Sequence, residues 1–291
     1  MELKWIVSFP ASCLHAAEAI AHGRLVTDTP LAEAIAEPAQ TLRQAIVAAG
    51  LPRSVFWRNL TGFSVVAEGT TQLAERALTK TVGEARAAGV VAEIAAAISG
   101  LQASVRRALP TLVEDLSPRV GPMQSRWDTH GPQLLRGIAR WTAADVIAER
   151  AQVIVVHPAL GGGGSAHLLY NNVLVEAVGA DPVAELPEVL RLAWLLSQLN
   201  LDLPRFSERI HGKRLPHVAE LAMLPVTLKA AEELDLLQLI PDTVDLALNS
   251  WHVVTPPDTD PVDVLWRWWD TYLATRPRWE VAFAALDRMF E

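Results

Sequence analysis

Two hydrophobic periods alternate along this chain, and they mark out its elements. Lys4 to Phe9 (KWIVSF) reads as a short strand, Pro10 breaks it, and Ser12 is placed to cap a helix from Cys13 to about Gly23. From about Pro30 to Leu116 the text is alanine-rich and favours helix, with breaks expected at Pro38, Gly50-Leu51-Pro52, Gly62, Gly89, Gly100 and Pro110. Gly121-Pro122 and Gly131-Pro132 punctuate the next stretch, and Pro132 suits the first turn of a helix reaching about Trp141. The period then changes. QVIVVHP (Gln152 to Pro158) and NVLVEAV (Asn172 to Val178) are short and β-branched, which predicts two strands of one small sheet. LPEVLRLAWLLSQLN (Leu186 to Asn200) is apolar on nearly every side and predicts a buried helix. Further helices are expected over 216–239, 242–248, 261–274 and 279–290, the third of these capped by Asp260 with Pro261 and Asp263 in its first turn. The pattern predicts an α+β fold, predominantly α-helical with one small β-sheet. We expect a single compact domain over 1–291, with an N-terminal helical layer of about 1–116 packed on a strand-loop-strand-helix core of about 120–291.

Composition narrows the function classes. Apolar residues make up 51% of the 291, but no uninterrupted run approaches the roughly 20 needed to span a bilayer, so no membrane association is expected. With 25 Lys+Arg against 33 Asp+Glu and no long basic run, nucleic-acid binding is not expected either. Cys13 is the single cysteine, which excludes an internal disulfide, a CxxC pair and a thiolate-rich zinc site, and fits a reducing cytoplasm. The first 23 residues faintly resemble a signal peptide ending in Ala19-Ile20-Ala21. Glu2 offsets Lys4, however, and Pro10 and His15 interrupt the apolar region, so a cytoplasmic location is expected.

Four consecutive glycines stand between two histidines in HPALGGGGSAH, His157 to His167. A phosphate loop needs Gly-Lys-Ser/Thr entering a helix, whereas Gly164-Ser165 leads through Ala166 towards a strand, with no lysine between Lys80 and Lys213. A hydrolase nucleophile elbow reads G-x-S-x-G, and Gly163 to His167 matches it except that His167 replaces the last glycine. Ser165 and His167 share one side of an extended segment, and with His157 they form an alternative catalytic set that lacks a third member to orient the base. The plain structural reading is that the glycines permit positive φ and close backbone approach in a bend between strands.

The order helix, strand ending in a Gly-rich loop, strand and buried helix, over residues 120 to 240, resembles the core of zincin-like metallopeptidases. In that family the helix after the edge strand carries H-E-x-x-H, which holds zinc. The equivalent window here, Arg191-Leu192-Ala193-Trp194-Leu195, contains no histidine. The resemblance therefore implies a zincin-like core without its zinc ligands, and no functional residue carries over. Glu188 and Arg191, three apart, would line a vestigial cleft with His157, Asn171, Asn172 and Glu176; the alternative is an ordinary structural ion pair.

Two further constellations stand apart. His15, Glu18 and His22, spaced three and four apart, share one face of the first helix and form an alternative metal site. Near the C-terminus, Trp266, Trp268, Trp269 and Tyr272 form a broad aromatic face that suits a protein or peptide partner or self-association. The expected function is a non-catalytic binding or interaction protein with no cofactor. The alternatives are a hydrolase at the glycine loop and a metal-binding protein using the first helix.

Overall fold

A computed structural model describes residues 1–179, 181–255 and 259–290. Its strands are β1 (Glu2–Val7), β2 (Arg150–Val156), β3 (Gly164–His167) and β4 (Asn172–Glu176), joined in the order β1-β2-β4-β3. β1, β2 and β4 are parallel, with Trp5 beside Val153 and Val153 beside Val173; β3 runs antiparallel to β4 at the edge, with Ser165 opposite Leu174 and His167 opposite Asn172. Parallel strands are covered on both faces, which is why 153–156 and 173–175 are continuously apolar instead of alternating.

Thirteen helices surround the sheet among the described residues. Before β2 lie α1 (Phe9–Ala21), α2 (Thr29–Ala48), α3 (Arg53–Phe63), α4 (Thr70–Val82), α5 (Glu84–Ala87), α6 (Val91–Ala108) and α7 (Leu112–Trp141). After β4 come α8 (Glu188–Ser197), α9 (Pro204–Ser207), α10 (Leu215–Glu232), α11 (Pro241–Ser250), α12 (Pro261–Thr275) and α13 (Trp279–Met289). The fold is predominantly helical α+β with one small mixed sheet. Among the described residues no helix is long and apolar enough to cross a membrane.

Several boundaries differ from the sequence expectation, each for a local reason. α1 begins at Phe9, because Ser8 rather than Ser12 caps it, accepting from the Ala11 N–H. Pro10 then falls in the first turn, where its missing N–H has no partner to lose. Ser12 instead donates to the Ser8 carbonyl and accepts from His157 N–H at 3.1 Å, fastening α1 to the end of β2. Pro38, Gly62 and Gly100 lie inside α2, α3 and α6, while α7 runs unbroken through Pro118, Pro122 and Pro132. Apolar positions Leu112, Leu116, Trp127, Leu134, Leu135 and Ile138 keep one buried face along α7, and burial of that face outweighs the lost backbone bonds.

One hydrophobic cluster runs from Leu14, Ile35 and Phe56 through Val153 and Val175 to Leu190, Leu224 and Phe283. On the other sheet face, Ala11 of α1 meets Ile154, Val156 and Leu174. The C-terminal aromatics belong to the large cluster. Trp268, Trp269 and Tyr272 are buried and only Trp266 is half-buried; Trp268 donates to the Ala282 carbonyl at 2.8 Å, and Trp269 lies 5.9 Å from the Trp141 ring. That face docks α12 onto the body of the protein.

Candidate functional site

Glu176, at the end of β4, is 0% exposed and organises the glycine loop. Its Oε1 accepts from Leu160 N–H at 2.6 Å, and its Oε2 accepts from Gly162 and Gly163 N–H at 2.7 and 2.9 Å. His15 of α1 adds a fourth bond, Nε2 to Oε1 at 2.6 Å, and since a carboxylate only accepts, the ring nitrogen is the donor. Burial alone would raise this carboxyl, but the bonds from His15, Leu160 and Gly163 overcome it and bring it down to about 2. The loop is thus an anion-binding nest whose occupant is the protein's own carboxylate. Its backbone donors are taken, which removes the chemistry a phosphate loop would need.

The glycines are required here by geometry. Gly162 has φ of +155° while its N–H points at Glu176, and a Cβ on Gly164 would stand 2.8 Å from the Leu174 carbonyl oxygen and 2.7 Å from Leu195. Arg191 of α8, 0% exposed, closes the other side. It donates to the Gly163 carbonyl, to the Glu176 carbonyl at 3.0 Å and to the Glu188 carboxylate. Burial raises Glu188, against the opposing pull of Arg191. At the position where the zincin resemblance would place a zinc ligand, this helix carries a guanidinium bonded to the loop backbone.

A second network lies beside the first, on β3. The His167 Nδ1 is 2.7 Å from Asn172 Oδ1, so Nδ1 carries the proton and Nε2 is an acceptor. Ser165 Oγ at 3.2 Å and Thr61 Oγ1 of α3 at 3.1 Å both face that acceptor. Thr61 also reaches the Trp57 carbonyl at 2.9 Å, which leaves Ser165 as the donor to His167. Burial lowers His167 to about 4, and Arg58 and His15 add to the effect against the bond to Asn172. The Asn172 contact to the His167 ring is one that spacing alone did not reveal.

Arg58 of α3, Glu220 of α10 and Glu18 of α1 lie within electrostatic reach of one another, as do Arg24 and Glu220. Glu220 keeps 29% of its side chain exposed, and burial raises it to about 7 against the pull of Arg58 and Arg24. Burial likewise lowers Arg58, with Glu220 the first opposing charge. Among the described residues neither arginine head group, nor the Glu18 carboxylate, forms an ion pair or side-chain hydrogen bond, and Arg24 Nε is buried without a partner. Glu220 has only a 4.0 Å approach to His217 on its own helix, while its carbonyl accepts from Trp194 Nε1 of α8 at 2.8 Å. Tyr170 borders Arg58 and donates to Asn59 at 2.7 Å.

Other sequence candidates are scattered. His157 bonds Asp28 at 3.0 Å, away from Ser165, and the exposed Asn171 donates to the Arg150 carbonyl. His15 points into the sheet, whereas His22 is exposed and bonds the Glu18 carbonyl of its own helix at 2.9 Å. Among the described residues no group of three His, Cys, Asp or Glu side chains is placed to hold a metal. Cys13 is buried, and burial pushes its thiol well above the usual range. A cavity of about 240 Å³ adjoins the loop, lined in part by Gly161, Glu188, Trp251 and His252. Comparisons with protein-family models, curated proteins and solved structures find no match to this chain.

Proposed function

We propose that this chain is a non-catalytic binding or interaction protein on a degenerate zincin-like scaffold, with the charged residues Glu18, Arg24, Arg58 and Glu220 as its candidate binding groups. The observation that carries this reading is a set of charges within electrostatic reach of one another, with no ion pair among them in the described residues and with Arg24 Nε buried without a partner. Desolvating charge without pairing it costs stability, and such arrangements concentrate where a ligand supplies the missing partners. The helix position of the zinc ligands supports the non-catalytic part, since Arg191 there is committed to Gly163, Glu176 and Glu188. Elemental mass spectrometry on chain purified without chelator, followed by peptidase assays, tests it. The reading expects neither bound zinc nor turnover, and about one zinc per chain with peptidase activity overturns it.

A second reading is favoured by the Ser165, His167 and Asn172 geometry, which has the connectivity of a hydrolytic triad. Its base is weak, because burial holds His167 down to about 4. Turnover of an activated ester that Ser165→Ala abolishes, with the melting temperature unchanged, would establish this reading in place of the first.

A further inference from the structure

We infer that the cavity beside the glycine loop takes a small free amine that also carries a neutral oxygen acceptor, as an amino alcohol or an α-amino amide does. The inference goes beyond the binding groups proposed above, because none of Glu18, Arg24, Arg58 and Glu220 lines this cavity. Its volume is about 240 Å³, room for roughly ten non-hydrogen atoms given that a dry cavity of about 150 Å³ holds benzene. Leu160, Val183 and Leu186 supply apolar walls, while Glu188, Trp251 and His252 supply polar ones.

Each polar group on the lining has capacity left for a ligand. Glu188 keeps 11% of its side chain exposed; its Oε2 accepts from Arg191, whose other bonds go to the Gly163 and Glu176 carbonyls, and its Oε1 has no partner among the described residues. Arg191 is 0% exposed and does not line the cavity, so no guanidinium faces the ligand. Asp181 accepts from Glu188 N–H at 3.0 Å and adds a second negative charge beside that carboxylate. His252 Nε2 donates to the Leu160 carbonyl at 3.1 Å, and burial lowers the ring's pKa, which leaves Nδ1 an acceptor. Glu188 Oε1 and His252 Nδ1 are thus two acceptors for the three N–H donors of an ammonium. Trp251 is 3% exposed and stacks on Trp194 at 5.0 Å, and its indole N–H bonds no described residue. The Trp269 and Trp279 indole nitrogens are sealed in the core without partners, whereas Trp251 adjoins this open space. A buried donor beside a cavity is completed by an oxygen on the ligand. That oxygen is neutral, because a carboxylate would meet Glu188 and Asp181 with no facing cation to offset it.

Calorimetric titration of the full chain at pH 7 with leucinol and leucinamide tests this. Three matched probes change one feature each: N-acetyl-leucinamide lacks the ammonium, 3-methylbutylamine lacks the oxygen, and leucine puts a carboxylate where the neutral oxygen stood. The expected result is saturable binding of leucinol or leucinamide, at least about tenfold weaker for N-acetyl-leucinamide and leucine and about threefold or more weaker for 3-methylbutylamine, the sizes expected for one charged and one neutral hydrogen bond. Glu188→Gln should weaken the bound amine about tenfold. Val183→Trp, which fills the cavity while leaving Glu188 and Arg191 in place, should abolish binding, with circular dichroism confirming that both variants fold; should Glu188→Gln fail to fold, Val183→Trp alone decides the location. Equal binding of leucinamide and its N-acetyl form overturns the inference, as do tighter binding of leucine, undiminished affinity in folded Val183→Trp, and the absence of any binding at millimolar concentration. A leucine-initiated tripeptide amide that binds more tightly than leucinamide overturns the assignment to a free small molecule, since a chain N-terminus would then be the better occupant.

Discussion

Glu176 and Glu220 are both carboxylates inside the fold, and their surroundings drive them in opposite directions. The folded pKa of Glu176 is about 2 against an ordinary 4.5, so its contribution to stability is fully present above pH 4.5 and is lost as pH falls from about 4.5 to about 2. Glu176→Gln would place an amide among the His15, Leu160, Gly162 and Gly163 donors, and should cost about 2–4 kcal/mol in urea melts at pH 7. The gap between parent and variant should shrink at pH 3; a gap independent of pH would remove the charge from the argument. Glu220 behaves the other way. Its folded pKa of about 7 lies above the ordinary 4.5, so stability is lost as pH rises between those values. Glu220→Gln should therefore be more stable than the parent at pH 8, by about 1–2 kcal/mol once solvent screening is allowed for, and equal to it at pH 4. A variant less stable at pH 8 would mean that Glu220 is paired in solution. Neither role was legible in the sequence. Arg24, Arg58 and Glu220 stand alone on separate segments, with no spacing to connect them, whereas Ser165 and His167 are two apart in the sequence and their pairing could be read directly.

At the scale of elements, periodicity was the reliable guide and the helix breakers were not. β1, β2, β4 and the apolar α8 follow from hydrophobic runs, and the Asp260 cap of α12 follows from its side chain, which accepts from Val262 and Asp263 N–H. β3 was hidden because four residues beginning with glycine carry little strand preference of their own; antiparallel pairing with β4 supplies it. α7 was hidden for the opposite reason. Gly121-Pro122 resembles a turn, yet the apolar face on either side stays in register and packs as one helix. This makes a specific claim about Pro122, which is exposed. Its ring removes the N–H that would otherwise bond the Pro118 carbonyl four residues back, and an alanine restores it. Pro122→Ala should raise stability by about 1–3 kcal/mol, seen as a higher melting temperature. A lower melting temperature would indicate that the chain needs the break its sequence suggests.

For the molecule as a whole, the sheet decides how the two halves are coupled. β1, at residues 2 to 7, pairs with β2, at residues 150 to 156, so α1 to α7 form one long crossover between neighbouring parallel strands. The site repeats this coupling: His15 from the first half bonds Glu176 of the second, Thr61 meets His167, and Arg58 faces Glu220. Neither half can complete the sheet, the glycine loop or the set of charges around Arg58 and Glu220 alone. The hydrophobic cluster is likewise continuous from Leu14 to Phe283. Unfolding should therefore be one cooperative transition. Calorimetry should give a single peak, and the midpoint reported by far-ultraviolet circular dichroism, which sees all the helices, should coincide with that of tryptophan fluorescence. The fluorescence signal is weighted to the second part of the chain, where Trp194, Trp251, Trp268, Trp269 and Trp279 are buried, while Trp57 and Trp127 report from the first. Two separated transitions would mean that the N-terminal helices fold as a unit of their own. In that case the binding site would lie at a joint between units, and a ligand spanning it would raise both midpoints together.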